Sequence, residues 1–238
     1  MDTTYQFAEL FNSFEGEFPY QGRRATFIRF AKCNLKCEWC DTMNGQSVLP
    51  LQEYKSSEII EHVKDSRLIT FTGGEPSLYI DEMMDIISLI LSENNIYLNQ
   101  ITVETNGVEL DKFNTLYNHL TSIGINNPNK MLTTVWSPKL YSPQLRSLAL
   151  SNLYDSFNPS NMVIKLVSEP TDLSWISEEF IPNAISAHGI KNAKNICIMF
   201  KTNKESKYDE QNVQQTLQIA SKYNICISTR IHLEHNFK

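Results

Sequence analysis

"LITFTGGEP", residues 68–76, opens as an apolar, β-branched run and closes on two glycines, an acid and a proline. The run reads as a buried strand, and the glycines end it where bare backbone can lie close to another group. Ile80, Met83, Met84, Ile87 and Leu91 then recur at i, i+3, i+4, i+7 and i+11, the stripe of a helix with one buried face. Similar apolar runs occur at "ATFIRFA" (25–31), "RLITFT" (67–72), "QITVET" (100–105), "LTTVWS" (132–137), "MVIKLV" (162–167), "NICIMF" (195–200) and "ICISTR" (225–230). A second helical stripe, Val213, Leu217 and Ala220, precedes the last. Strands alternating with helices predict βαβ units. About six such units predict an α/β, TIM-like partial barrel with mostly parallel strands and a site at their C-terminal ends.

Polar motifs fall at those ends. Three cysteines follow the first strand, Gly73-Gly74-Glu75-Pro76 ends the second, Glu104 the third, and Ser137-Pro138-Lys139 the fourth. The cysteines sit in "FAKCNLKCEWCDT" (30–42), where Cys33, Cys37 and Cys40 form C-x3-C-x2-C. Thiolates are soft ligands that select zinc, copper(I) or iron–sulfur clusters. Structural zinc usually takes four protein ligands. The other two cysteines, Cys197 and Cys226, lie far along the chain in apolar runs, where a cysteine reads as a small hydrophobe. Three thiolates on a four-iron cluster would leave one iron open for chemistry. Gly73-Gly74 would bring backbone close to a ligand, and Glu75 would supply an anion for an ammonium group.

Composition narrows the setting. The chain has 238 residues, 41% of them hydrophobic and 20% charged, with a net charge of -6. That is an ordinary globular composition, read as one domain over 1–238. The acidic balance argues against a nucleic-acid-coating surface. No apolar run is long enough to span a membrane, and "MDTTYQFAELFNSFEGE" lacks the basic start and apolar stretch of a signal peptide. Five cysteines without a secretion signal fit a reducing cytoplasm.

The cysteine spacing together with Gly-Gly-Glu-Pro resembles the radical S-adenosylmethionine enzymes. The stretch "ELFNSFEGEFPYQGRRATFIRFAKCNLKCEWCDT" (9–42) resembles, within them, the 7-carboxy-7-deazaguanine synthases. It keeps Glu9, Phe11, Ser13, Gly16, Glu17, Phe27, Ile28, Arg29, Asn34, Leu35 and Thr42 of that pattern, and departs at Glu15, Phe18 and Lys32. Glu104 to Gly107, Ser137 to Lys139 and a final "HLEHNFK" with His232, Asn236 and Lys238 also match.

The resemblance implies a lyase of queuosine and related 7-deazapurine biosynthesis. It would convert 6-carboxy-5,6,7,8-tetrahydropterin to 7-carboxy-7-deazaguanine, with ring contraction started by a 5′-deoxyadenosyl radical and loss of ammonia. Cys33, Cys37 and Cys40 would hold a [4Fe-4S] cluster and Thr42 a Mg2+ ion. S-adenosylmethionine would meet Trp39, Cys40, Asp41, Gly74, Glu75, Ser137, Pro138, Lys139, and Phe200, Lys201, Thr202 and Asn203. The pterin would meet Phe14, Glu15, Gly16, Arg29, Thr72, Glu104, His232 and Lys238, while Glu17 would serve substrate or magnesium recognition. Arg29 would clamp the substrate carboxylate, and Glu104 would accept from the pterin N–H groups. A reductant such as flavodoxin or ferredoxin and a homodimer are further expectations. The rival readings are a glycyl-radical-activating protein, which acts on a polypeptide, and a zinc-stabilised binding module.

Overall fold

The computed structural model describes residues 2–38, 40, 42–43, 48–93, 96, 98–154, 161–188, 194–200 and 210–235. Its strands are β1 (Thr4–Phe7), β2 (Glu9–Phe14), β3 (Arg24–Phe30), β4 (Gln52–Lys55), β5 (Leu68–Gly73), β6 (Gln100–Thr105), β7 (Leu132–Trp136), β8 (Met162–Ser168), β9 (Ile196–Phe200) and β10 (Cys226–Ser228). The α-helices are α1 (Ser56–Val63), α2 (Ile80–Ser92), α3 (Phe113–Ser122), α4 (Pro128–Met131), α5 (Pro143–Asn152), α6 (Leu173–Trp175), α7 (Ile181–His188), α8 (Glu210–Tyr223) and α9 (Ile231–Glu234). Each of the seven apolar runs forms a strand. β1, β2 and β4 lie outside that expected set. Among the described residues no helix is long and apolar enough to cross a membrane.

The chain divides into two compact units, residues 1–14 with 23–134, and residues 15–22 with 135–238. In the first, β3, β5 and β6 run parallel in that order, β2 pairs antiparallel to β3, and β1 and β4 form a separate antiparallel ribbon. One face of the three parallel strands carries Ile28, Phe30, Ile69, Phe71, Ile101 and Val103, all fully buried. The helices cover that face: Thr26 Oγ1 donates to the His62 carbonyl of α1, and the Phe30 ring stacks on Tyr79 just before α2. The α2 stripe is turned slightly from expectation, with Met83, Ile86, Ile87 and Ile90 buried. The alternation of a strand sends the remaining side chains to the other face.

In the second unit β8, β9 and β10 are parallel neighbours, with Lys165 opposite Cys197 and Cys197 opposite Cys226. Helix α8 departs from the sequence reading. Leu217 is 39% exposed, whereas Asn212 and Thr216 are buried. Those polar groups are satisfied: Asn212 Nδ2 donates to the Ser168 carbonyl at 3.2 Å, and Thr216 Oγ1 meets Ser168 Oγ at 3.1 Å. Helix α5 starts where a sequence rule puts it, on Ser142, whose Oγ accepts from Leu145 N–H, with Pro143 next.

Candidate active site

In the first unit the cysteine loop leaves β3 and is held by the end of β5. Gly74 N–H donates to the Phe30 carbonyl at 2.8 Å, and Glu75 N–H to the Lys32 carbonyl at 2.7 Å. A Cβ on Gly74 would stand 1.8 Å from the Lys32 carbonyl oxygen, so only glycine permits this approach. Gly73 takes φ +105°, with a Cβ position 2.5 Å from the Phe30 carbonyl oxygen. The Tyr79 hydroxyl accepts from Lys32 N–H at 2.9 Å and holds the loop's first turn.

The three cysteines of the loop are in no disulfide. Leu35 N–H points at Cys33 Sγ at 3.5 Å, Met43 N–H at Cys40 Sγ at 3.2 Å, and Asn106 Nδ2 at Cys33 Sγ at 3.9 Å. Burial pushes the Cys33 thiol up, and the charges of Glu75, Cys37 and Cys40 add to that. Among the described residues, no three His, Cys, Asp or Glu converge tightly enough for one metal ion. The donor set does fit an iron–sulfur cluster: three thiols on one loop, with N–H donors aimed at sulfur.

Glu75 faces inward. Its Oε1 accepts from Ser77 N–H at 3.0 Å and Thr105 Oγ1 at 2.5 Å, and its Oε2 from Asn106 N–H at 2.8 Å. It is 1% exposed, and burial raises its carboxyl above the ordinary range despite those donors. The carboxylate expected to meet the cofactor instead ties β5 to the end of β6.

The face of the strands opposite the helices carries the expected substrate residues. Arg29 is the Cα partner of Thr72, and Thr70 of Thr102. Glu104 lies two residues beyond Thr102 on that face. Thr70 and Thr102 are buried, while Arg29, Thr72 and Glu104, nearer the C-terminal ends, are half-buried. Arg29 Nε donates to Glu9 Oε2 at 3.1 Å, and its Nη1 to Thr42 Oγ1 at 2.9 Å. Its guanidinium lies 5.5 Å from the centre of the Phe11 ring. Glu9 was kept by the resemblance without a role, and the structure supplies one as the partner of Arg29.

The second unit gathers residues from both ends of the chain. Phe18 N–H donates to Ser228 Oγ at 2.9 Å across 210 positions. Ile231 N–H donates to the Gly16 carbonyl at 3.1 Å. A Cβ on Gly16 would stand 1.9 Å from His232 Nδ1, so the glycine admits the imidazole. Glu17 meets Lys165 Nζ at 2.5 Å and Arg230 Nε at 3.2 Å. Burial alone would raise its carboxyl, but the two cations, with His232, outweigh it and bring it down to about 2. Lys165 and Arg230 were not expected in the site. The signal was present, because Lys165 is the lone charge in "MVIKLV" and Arg230 ends "ICISTR".

The remaining expected residues are spread over both units. Glu15 is buried and Phe14 is 52% exposed. Ser137 and Pro138 are buried after β7, and Lys139 Nζ donates to Ser137 Oγ at 3.3 Å. Phe200 closes β9 and is buried. Trp39, Asp41, Lys201, Thr202, Asn203, Asn236 and Lys238 lie outside the described residues.

Residues 27–136, from within β3 through β7, match the Radical SAM superfamily. Curated relatives are 7-carboxy-7-deazaguanine synthases. That of Thermoplasma acidophilum is 36% identical over 104 residues, 42% of this chain and 45% of its own length. That of Bacteroides thetaiotaomicron is 42% identical over 101 residues, 42% of this chain and 50% of its own. The chain thus spans about half the length of the curated relatives it matches. The crystal structure of QueE from Escherichia coli superposes with a TM-score of 0.59 over 95% of this chain and 93% of that one, at 17% identity. That likeness concerns fold, and it bears out the α/β architecture with mostly parallel strands.

Proposed function

We propose that the chain is a 7-carboxy-7-deazaguanine synthase, a lyase that converts 6-carboxy-5,6,7,8-tetrahydropterin to 7-carboxy-7-deazaguanine in 7-deazapurine biosynthesis. The carrying observation is the row of Arg29, Thr72 and Glu104 on one face of three parallel strands, on the domain that also bears the cysteine loop. When bound, a [4Fe-4S] cluster on Cys33, Cys37 and Cys40 with S-adenosylmethionine supplies hydrogen-atom abstraction from the substrate. The chain supplies orientation. Arg29, braced by Glu9 and Thr42, offers a cation to the substrate carboxylate. Glu104 accepts from the N–H edge of the pterin, and Thr72 adds a hydroxyl beside it. Gly16, Glu17 and His232, brought together in the second unit, serve substrate recognition in this reading, as do Phe14, Glu15 and Lys238.

Ser137, Pro138 and Lys139, the backbone at Gly74, Trp39, Asp41 and the 200–203 stretch serve the cofactor in this reading. With Glu75 turned inward, the acceptors for the cofactor's ammonium group are backbone carbonyls of the Gly73-Gly74 turn. A Mg2+ ion bound at Thr42 would pair with the substrate carboxylate, as a hard cation suits oxygen ligands. Residues 1–238 act as one catalytic domain, working as a homodimer in the cytoplasm with flavodoxin or ferredoxin as reductant.

The test is anaerobic reconstitution, reduction, and incubation with S-adenosylmethionine and the carboxy-tetrahydropterin. The expected product is 7-carboxy-7-deazaguanine, identified by mass. Cofactor cleavage without that product overturns the substrate assignment, and a protein with one zinc and no iron or sulfide overturns the radical chemistry.

A further inference from the structure

Lys165 is the sole charged residue of β8, and its side chain is only 6% exposed. It lies on the strand face away from α8, since Ser168, of opposite parity, meets Thr216 of that helix. An apolar residue would pack there without desolvating an ammonium group. What the lysine adds is a bond to Glu17 Oε2 at 2.5 Å. The other oxygen, Oε1, faces Arg230 Nε at 3.2 Å. The carboxylate is thus hydrogen-bonded through Oε2 to one cation and ion-paired through Oε1 with a second from a different segment, which favours one orientation of the group. Around it, Phe18 N–H reaches Ser228, Gln21 Nε2 reaches the Thr229 carbonyl at 3.3 Å, and Ile231 N–H reaches the Gly16 carbonyl.

We propose that Lys165 is a positioning residue. With Arg230 it fixes Glu17, and through Glu17 it holds segment 15–22 against segment 228–232, so that Gly16, Glu17 and His232 present one geometry to the pterin. This inference rests on the proposed function for its substrate and on the clamp geometry for its mechanism.

The two are tested separately on the reconstituted holoenzyme. Hydrogen exchange reads the clamp without turnover. In Lys165→Met, amides of 15–22 and 228–232 exchange faster. The KM for the carboxy-tetrahydropterin rises about tenfold, the scale of one charge-assisted hydrogen bond, while iron content and kcat stay within about twofold. Lys165→Arg recovers most of both effects. If Lys165→Met fails to fold, Glu17→Gln with Lys165→Met removes both members of the Lys165–Glu17 pair together, and it matches Glu17→Gln alone in exchange and KM. Unchanged exchange, an unchanged KM, or no recovery by arginine overturns the proposal. If the wild-type protein does not convert the pterin, the proposed function falls, and the exchange measurement alone decides the clamp.

Discussion

Glu75 shows how one side chain is reassigned by its neighbours. A carboxylate after two glycines reads as an anion offered to a ligand, yet three donors from two segments surround it in the structure. Its removal strands those donors in a buried place, and an unsatisfied buried group costs about 1–3 kcal/mol. Glu75→Ala is therefore expected to lower stability by about 2–4 kcal/mol, with the loss of buried packing included. Urea denaturation of the metal-free protein checks it. A change under about 0.5 kcal/mol, normal for a surface site, would return Glu75 to an outward-facing role. The glycines were legible because a strand ending in Gly-Gly needs a close backbone approach. The destination of the acid was not, because it depends on where Thr105 and Asn106 of another strand end come to rest.

Strand positions were legible at the level of elements, since apolar β-branched runs of this length leave few alternatives. Helix faces were less so. In α8 the apolar spacing of Val213, Leu217 and Ala220 pointed inward, but the buried face is built on Asn212, Thr216, Ile219 and Ala220. The difference lies in Ser168, whose carbonyl and hydroxyl at the end of β8 engage Asn212 and Thr216 and make their burial favourable. Leu217→Gln should then change stability by less than about 0.5 kcal/mol, whereas Thr216→Val should cost about 1–3 kcal/mol. Equal losses in thermal melts would contradict that orientation. The edge strand β2 was missed because "ELFNSF" alternates weakly, yet it delivers Glu9 and Phe11 to Arg29. A planar guanidinium that is stacked and hydrogen-bonded on two edges is not replaced by an ammonium point charge. Arg29→Lys should raise the KM for the pterin about tenfold or more and leave iron incorporation unchanged. An unaltered KM would remove Arg29 from the substrate.

At the scale of the whole molecule, the half-buried Glu17 and the buried Glu75 respond to acid in opposite senses. The folded value of Glu17 is held at about 2, below the ordinary 4.5. Its contribution to stability is therefore present above the ordinary value and is lost as pH falls toward 2. The folded value of Glu75 is raised by burial. Its contribution is complete below the ordinary value and declines as pH rises through the folded one. Acidification thus loosens the unit that contains Glu17 while favouring the protonated Glu75 of the other. Neither direction could be read from sequence, where both are glutamates beside a glycine. Between pH 6 and pH 3, hydrogen exchange corrected for intrinsic rates should increase first in 15–22 and 228–232, with 68–76 and 100–107 retaining protection. Glu17→Gln should flatten this dependence, since a neutral amide has no proton to gain in that window. If both regions open together in the wild type and the glutamine variant keeps the same profile, the cations around Glu17 do not set the acid limit of this fold.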